Sequence, residues 1–184
     1  NFLRAYTVGR ALGLDHNKIV KALSSFPGIS KRFEHVGRTK NGNVVINDYA
    51  HNPQKIKGLI DAAKESYPDR KLCLVFQPHS VERSFTFKQE FTESLNGLDY
   101  LIMTEIFSPR RETEQERALI TSEDFFNLLR DSNPDIEMTY AGSLDSTVKE
   151  IVDLDAQGEA VFICASAGNL PTIFPEILKV ENPK

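Results

Sequence analysis

Several things are missing from this sequence, and each absence narrows what the chain does. No apolar stretch approaches the roughly 20 residues that cross a bilayer, and no basic-then-apolar secretion pattern opens the chain. The cytoplasm is therefore the expected compartment, with no membrane partner. There is also no dense Lys/Arg block: 22 basic against 26 acidic residues leave a formal charge of -4. Nucleic acid and anionic membranes are held by a field of positive charge, so neither is expected here. Cysteine is scarce, only Cys73 and Cys164, each inside an apolar run that reads as a strand, so buried thiols are expected rather than a disulfide or metal pair. His79 and Glu82 are three apart, but one His-x-x-Glu without a second His is a poor metal signal, and no metal site is expected. Finally, neither Gly-x-x-x-x-Gly-Lys-Ser/Thr nor Gly-x-Gly-x-x-Gly occurs. The usual backbone cradle for nucleotide phosphates is thus absent. If the chain handles ATP, another domain has to hold the triphosphate.

What is present suffices for one sizeable core: 184 residues, 40% of them hydrophobic and 26% charged. The chain starts at Asn1 rather than Met and enters directly into a helical pattern, as a cut from a longer polypeptide would. Phe2, Tyr6, Val8 and Leu12 set a helix stopped at Gly13, a second short helix follows Asp15, and Phe26-Pro27-Gly28 reads as a break. Residues 1–26 are expected to form a helical segment and 27–184 the main domain. Two strands, near 32–37 and 44–48, join across Asn41-Gly42, a dipeptide suited to a tight hairpin.

Beyond the hairpin, strands at 72–76, 100–104, 136–140 and 160–164 alternate with helical patterns, which implies parallel βαβ units. Asn52 and Pro53 start the first of these helices, Phe87, Phe91 and Leu95 line another, and a capping-box pattern at Thr121–Asp124 restarts a third. Further helices are expected near 145–152 and 171–178, and the charged stretch 112–117 reads as a mobile loop. The fold class is α/β: a Rossmann-like, three-layer domain with a mostly parallel sheet, an antiparallel hairpin strand at its start and helices on both faces. There is no internal repeat and no low-complexity segment.

Ligands in such sheets bind beyond the carboxyl ends of the strands. Four expected strand ends carry polar or small groups: Asn47 to Asn52, Gln77-Pro78-His79, Thr104-Glu105 and Ala165 to Asn169. Asp48 is placed to accept hydrogen bonds from a ribose or to hold a cation, or else caps its loop. His51 is either a ligand group or a satisfied loop histidine. Arg32 and Arg83 are suited to clamp a phosphate and a carboxylate, respectively, through paired hydrogen bonds, the alternative for each being a solvated surface arginine.

Phe26-Pro27-Gly28 with Lys31-Arg32-Phe33-Glu34, Asp48-Tyr49-Ala50-His51-Asn52-Pro53, and Val75-Phe76-Gln77-Pro78-His79 with Arg83 together resemble the carboxy-terminal domain of the Mur ligases. The order and spacing hold over roughly residues 19 to 105. The second element is shared with cyanophycin synthetase and, more loosely, with folylpolyglutamate synthetase; the third is narrower and points to the branch that joins L-alanine to UDP-N-acetylmuramate. The resemblance implies an ATP-dependent, ADP-forming acid:amino-acid ligase of peptidoglycan precursor synthesis acting through an acyl phosphate. It implies that ATP and Mg2+ are held mainly by a central domain of the same chain, which also carries an amino-terminal domain, and that this piece is inactive alone. It assigns Arg32 and Asp48 to catalysis, Arg32, Asp48, His51 and Asn52 to the nucleotide, and Tyr49, His51, His79 and Arg83 to the amino acid. Two departures bear on which amino acid is accepted: Ser80-Val81-Glu82 stands where the alanine branch usually has Arg-Tyr-x, and Ser166-Ala167-Gly168-Asn169 where it has Gly-Ala-Gly-Asp. Another Mur-type ligase, such as a murein tripeptide ligase or a cyanophycin-type synthetase, and a non-catalytic interaction module on the same scaffold remain the alternatives.

Overall fold

Strands that read as unbroken apolar runs have to be covered on both faces, and that requirement organises this chain. The computed structural model describes residues 2–26 and 28–178. Asn1, and Pro27 within the expected break, lie outside the described residues. The chain separates into two compact units, Asn1–Ser30 and Lys31–Lys184. The first holds α1 (Phe2–Ala11) and α2 (His16–Ser24), the latter capped by Asp15, whose carboxylate accepts the Lys18 N–H at 3.1 Å. Gly9 lets the two helices close up: a Cβ there would lie 2.9 Å from Ile19 Cδ1.

The second unit is built on β1 (Glu34–Arg38), β2 (Val44–Asp48), β3 (Lys71–Gln77), β4 (Tyr100–Thr104), β5 (Glu137–Gly142) and β6 (Ala160–Ser166). These form one sheet in the order β1-β2-β6-β3-β4-β5, with β1 antiparallel to β2 and every other pairing parallel. On one face, Ile46, Leu74, Phe76 and Met103 pack against α3 (Pro53–Ser66), α5 (Lys88–Ser94) and α7 (Ser122–Ser132). On the other, Val45, Val75, Phe162 and Cys164 pack against α8 (Leu144–Asp155), a 3-10 turn at Leu170–Ile173 and α9 (Phe174–Ile177). The three-layer expectation and the hairpin strand therefore hold. Both cysteines are free and buried, and burial pushes Cys164 up to about 12, far from a reactive thiolate.

Four features differ from the expectations. The stretch 112–117 contains a turn of helix, α6 (Glu114–Arg117), opened by a complete capping box between Thr113 and Glu116. Its signal is polar and local, so a search for apolar periodicity passes over it. At Thr121 the box is only half made, because the shorter Asp124 carboxylate accepts from the Thr121 hydroxyl at 2.7 Å rather than from its backbone N–H. A helix not anticipated, α4 (Val81–Thr86), precedes α5; it is too short to show a stripe. The last segment also begins as the 3-10 turn and ends at Ile177, after which Leu178 bridges to Thr39.

Register decides where the strand ends fall. Asp48 pairs with Ala165, and Gln77 pairs with Ser166. The ends of β2, β6 and β3 therefore lie side by side on one rim. The helices after β2, β3 and β4 run along one face, whereas α8 returns on the other to bring β6 between β2 and β3. That change of face makes the rim a topological switch point, where open α/β sheets hold their ligands.

Candidate functional site

Two features occupy the rim, joined by Tyr49. The first is a groove of about 310 Å³ lined by Arg32, Phe33, Asp48, Tyr49, Lys55 and Leu59, among others. Arg32, expected to begin a strand, lies instead in a turn before β1 in which Lys31 and Phe33 both have positive φ, 59° and 47°. Two hydrogen bonds hold that turn against the end of β2: Asp48 Oδ2 accepts the Phe33 N–H at 2.7 Å, and Lys31 O accepts the Tyr49 N–H at 2.8 Å. Asp48 thus fixes the turn that presents Arg32. The exposed Arg32 and Lys55 put two cations on a groove floored by Leu59, a surface fitted to a phosphate group beside an apolar one.

The second feature is a cluster of His51, His79 and Arg83. The rings of His51 and His79 have centroids 5.9 Å apart, and Tyr49 meets His51 edge-on at 5.0 Å. Arg83 reaches back one helical turn to donate to His79 Nδ1 at 2.9 Å and to the His79 carbonyl at 3.3 Å. This geometry depends on Ser80, whose φ of 66° turns the chain sharply between β3 and α4 and whose hydroxyl caps α4 by accepting the Arg83 N–H at 3.3 Å. Desolvation lowers the affinity of His51 for a proton, a bond to the Tyr49 carbonyl partly offsets this, and Lys55, Arg83 and His79 lower it further. Desolvation, then Arg83, lowers that of His79. Both rings are therefore held toward the neutral form.

Beside this cluster stands a wall that the sequence did not announce. Phe107 N donates to Pro78 O and Ser80 N donates to Phe107 O, both at 2.8 Å, which ties the segment after β4 to the end of β3. The Phe107 ring lies 5.9 Å from that of His79 and close enough to Gly168 that a Cβ there would come within 2.6 Å of it. Gln77 locks the neighbouring strand ends together: its Oε1 accepts from Ser166 Oγ at 2.7 Å and from Leu170 N at 3.1 Å, and its Nε2 donates to Asn169 Oδ1 at 2.8 Å. Gln77 lay inside a recognised motif, whereas no local pattern marks Phe107 or Lys55.

Of the expected residues, His51, His79 and Arg83 come together, and Tyr49 links them to the groove of Arg32 and Asp48. Asn52 caps α3, its Oδ1 accepting the Lys55 N–H at 3.0 Å, so its oxygen is already used. Glu82, the carboxylate that this chain carries at the variable position of the alanine branch's motif, is exposed and acts on Arg110. Among the described residues, no group of three His, Cys, Asp or Glu side chains is arranged to hold a metal ion, and no helix is long and apolar enough to cross a membrane.

Comparison with known proteins gives this geometry a context. The UDP-N-acetylmuramate--L-alanine ligase of Nostoc sp. is 34% identical over 179 residues, covering 97% of this chain and 35% of the relative. The crystal structure of UDP-N-acetylmuramate-alanine ligase from Thermotoga maritima superposes with a TM-score of 0.71 at 23% identity, over 92% of this chain and 34% of that one. A murein peptide ligase from Psychrobacter arcticus gives 0.62 at 23% identity, over 95% and 36%. The chain thus spans about a third of the length of the curated relatives it matches. The family described as Mur ligase, glutamate ligase domain, matches residues 31–168, three quarters of the sequence, and the chain belongs to that family.

Proposed function

We propose that this chain is the carboxy-terminal part of a cytoplasmic, ATP-dependent, ADP-forming ligase that adds L-alanine to UDP-N-acetylmuramate, with residues 1–26 closing a preceding central domain and 27–184 forming the ligase domain. The observation that carries this reading is the His51–His79–Arg83 cluster beside the Arg32–Asp48 groove. An incoming amino acid is a zwitterion, and it needs a cation for its carboxylate and a neutral base near its amine. The cluster offers both. Arg83 has a guanidinium edge left after its bonds to His79, and burial holds both His79 and His51 toward the neutral form.

The groove fits part of a nucleotide. Its volume of about 310 Å³ is close to the lower bound of the roughly 300–1,000 Å³ usual for enclosed small-ligand sites. Arg32 and Lys55 would meet phosphate oxygens, and Asp48 would hold Arg32's turn in place. Because the chain has no phosphate loop, the remainder of the triphosphate and the Mg2+ that neutralises it belong to the preceding domain. Bound ATP supplies the activation of the acceptor carboxylate. The residues of this chain grip the amino acid, orient its amine and close one side of the site against water.

A second reading, a ligase adding a different unit such as a murein peptide, is favoured by Ser80-Val81-Glu82 where the alanine branch usually carries Arg-Tyr-x. One assay separates the two: phosphate release by the full-length enzyme, dependent on UDP-N-acetylmuramate, with alanine, serine, glycine and murein tripeptide offered in turn. Alanine as the best substrate upholds the first reading. Turnover with tripeptide alone replaces it with the second.

A further inference from the structure

Asparagine followed by glycine is a dipeptide prone to spontaneous deamidation, because glycine has no side chain to shield the backbone nitrogen that attacks the carboxamide. The sequence contains two such pairs, Asn41-Gly42 and Asn96-Gly97, and the fold treats them differently. Asn96 lies just beyond α5, exposed and, among the described residues, without a side-chain hydrogen bond. Asn41 lies in the hairpin between β1 and β2, and the groups its reaction needs are engaged. Its Nδ2 donates to Asp155 Oδ2 at 2.9 Å and to the Asp155 carbonyl at 3.2 Å, and its backbone N–H donates to Oδ2 at 3.3 Å. The Gly42 N–H donates to Thr39 O at 3.0 Å. For Gly42 N to reach Asn41 Cγ, the carboxamide has to leave Asp155 and the Gly42 N–H has to leave Thr39. Both departures amount to the hairpin lifting from the end of α8.

We propose that Asn41-Gly42 is a gated, self-disabling modification site: the closed hairpin protects Asn41 from deamidation, opening exposes it, and the carboxylate produced keeps the hairpin from closing again. In the reaction, Gly42 N gives up its proton to solvent base and bonds to Asn41 Cγ. The Cγ–Nδ2 bond breaks, and Nδ2 leaves as ammonia with a proton from solvent, which gives a cyclic imide. Water then adds at either ring carbonyl and breaks that carbon's bond to Gly42 N, which regains a proton. Aspartate or isoaspartate results, and nothing is oxidised or reduced.

Either product puts a carboxylate where a donor stood 2.9 Å from Asp155 Oδ2. Asp155 is buried, and Arg38, the cation at the end of β1, is bonded to the Gly42 carbonyl at 2.7 Å. Two carboxylates that share a site from which water is excluded repel strongly, so the bonds that held the hairpin cannot re-form. Isoaspartate also adds a methylene to the hairpin backbone.

The test follows both asparagines in one sample. The purified protein is incubated in mildly alkaline buffer, and aspartate and isoaspartate at residues 41 and 96 are quantified by peptide mass spectrometry. Asn41 is expected to convert at least about tenfold more slowly than Asn96, because it reacts only from the locally opened population. Urea just below the unfolding transition should narrow that gap by speeding Asn41. Comparable rates in buffer, or a gap that urea leaves unchanged, overturns the gating.

The self-disabling step is read from urea midpoints of Asn41→Asp and Asn41→Ala. Alanine removes the donors, whereas aspartate removes them and adds a like charge, so Asn41→Asp should unfold at the lower urea concentration. A midpoint for Asn41→Asp at or above that of Asn41→Ala overturns the step. A further measurement needs no variant: after ageing in urea and return to buffer, limited proteolysis should consume molecules converted at residue 41 first. Equal survival of converted and unconverted molecules would overturn the step as well.

Discussion

The Asn43 carboxamide donates to Asp155 Oδ1 at 2.8 Å across 112 residues of sequence, at the edge of the sheet where β2 and β6 begin. Asp155 is only 6% exposed and, among the described residues, has no basic partner; its oxygens accept instead from the Thr39 hydroxyl, from Asn41 N and Nδ2 at 3.3 and 2.9 Å, and from Asn43. Asn43 completes the tie, its Oδ1 accepting Ala160 N at 2.8 Å and its Nδ2 donating to Gly158 O at 2.9 Å. The hairpin between β1 and β2 is thereby clamped to the start of β6, and the β2–β6 register that sets the distant rim is fixed at its origin. Asp155→Ala leaves buried donors without an acceptor and should cost about 2–4 kcal/mol, read from urea unfolding at neutral pH. A loss below about 0.5 kcal/mol would show that the clamp is dispensable.

Gly168 and Gly58 predict opposite signs for the same substitution. At Gly168 an added methyl would lie 2.6 and 2.8 Å from Phe107 ring carbons and inside contact distance of Gln77 Oε1, so Gly168→Ala should destabilise by about 1–3 kcal/mol and shift the His79 resonances. Gly58 sits within α3 with nothing inside 4 Å of its notional Cβ, and Gly58→Ala should stabilise by about 1 kcal/mol. Thermal melting of both variants checks the pair.

The pH dependence of folding separates into two windows. His51 and His79 bind protons less readily when folded than the ordinary value of 6.5 allows, so below that pH the unfolded chain takes up more protons than the folded one. Stability should therefore be level above about 6.5 and fall as pH drops beneath it. The decline should be smaller in a His51→Gln, His79→Gln double variant, as measured by urea midpoints at pH 5 and 7.5. Equal pH dependence in the two proteins would contradict the shifts. Glu116 marks the second window: its bond to the Arg110 guanidinium, then the Thr113 N–H, hold its carboxyl down at about 2 instead of 4.5. Its contribution is present above 4.5 and disappears only as pH falls through about 2, which a carboxyl-detected NMR titration would follow.

Arg83→Ala and Arg32→Ala should affect different substrates in the full-length enzyme. A charge-assisted hydrogen bond is worth about 1.5–3 kcal/mol, and tenfold corresponds to about 1.4 kcal/mol. Arg83→Ala should thus raise the amino-acid KM by about 10- to 150-fold, and Arg32→Ala should raise the ATP KM over the same range. An amino-acid KM unmoved by loss of Arg83 would dissociate that guanidinium from the carboxylate.

Much of this protein is written locally. The runs of β2, β3 and β6 are apolar without alternation because both faces are covered, so strand, parallel pairing and three layers could all be read from residues 44–48, 71–77 and 160–166. The cap at Asn52 and the hairpin at Asn41-Gly42 are equally local. The turn of α6 escaped because its signal is a polar pair and not a stripe, and α4 because six residues show no period.

What folding alone decided is which ends meet and in what chemical state. Sequence placed His51 and His79 after separate strands, but only the insertion of β6 between β2 and β3, in the register that pairs Asp48 with Ala165 and Gln77 with Ser166, sets their rings 5.9 Å apart. The wall at Phe107 and the clamp at Asp155 depend on hydrogen bonds between distant segments. Local propensity acts over a few residues and carries no information about partners that far away in the chain, so those features exist only once the sheet has closed.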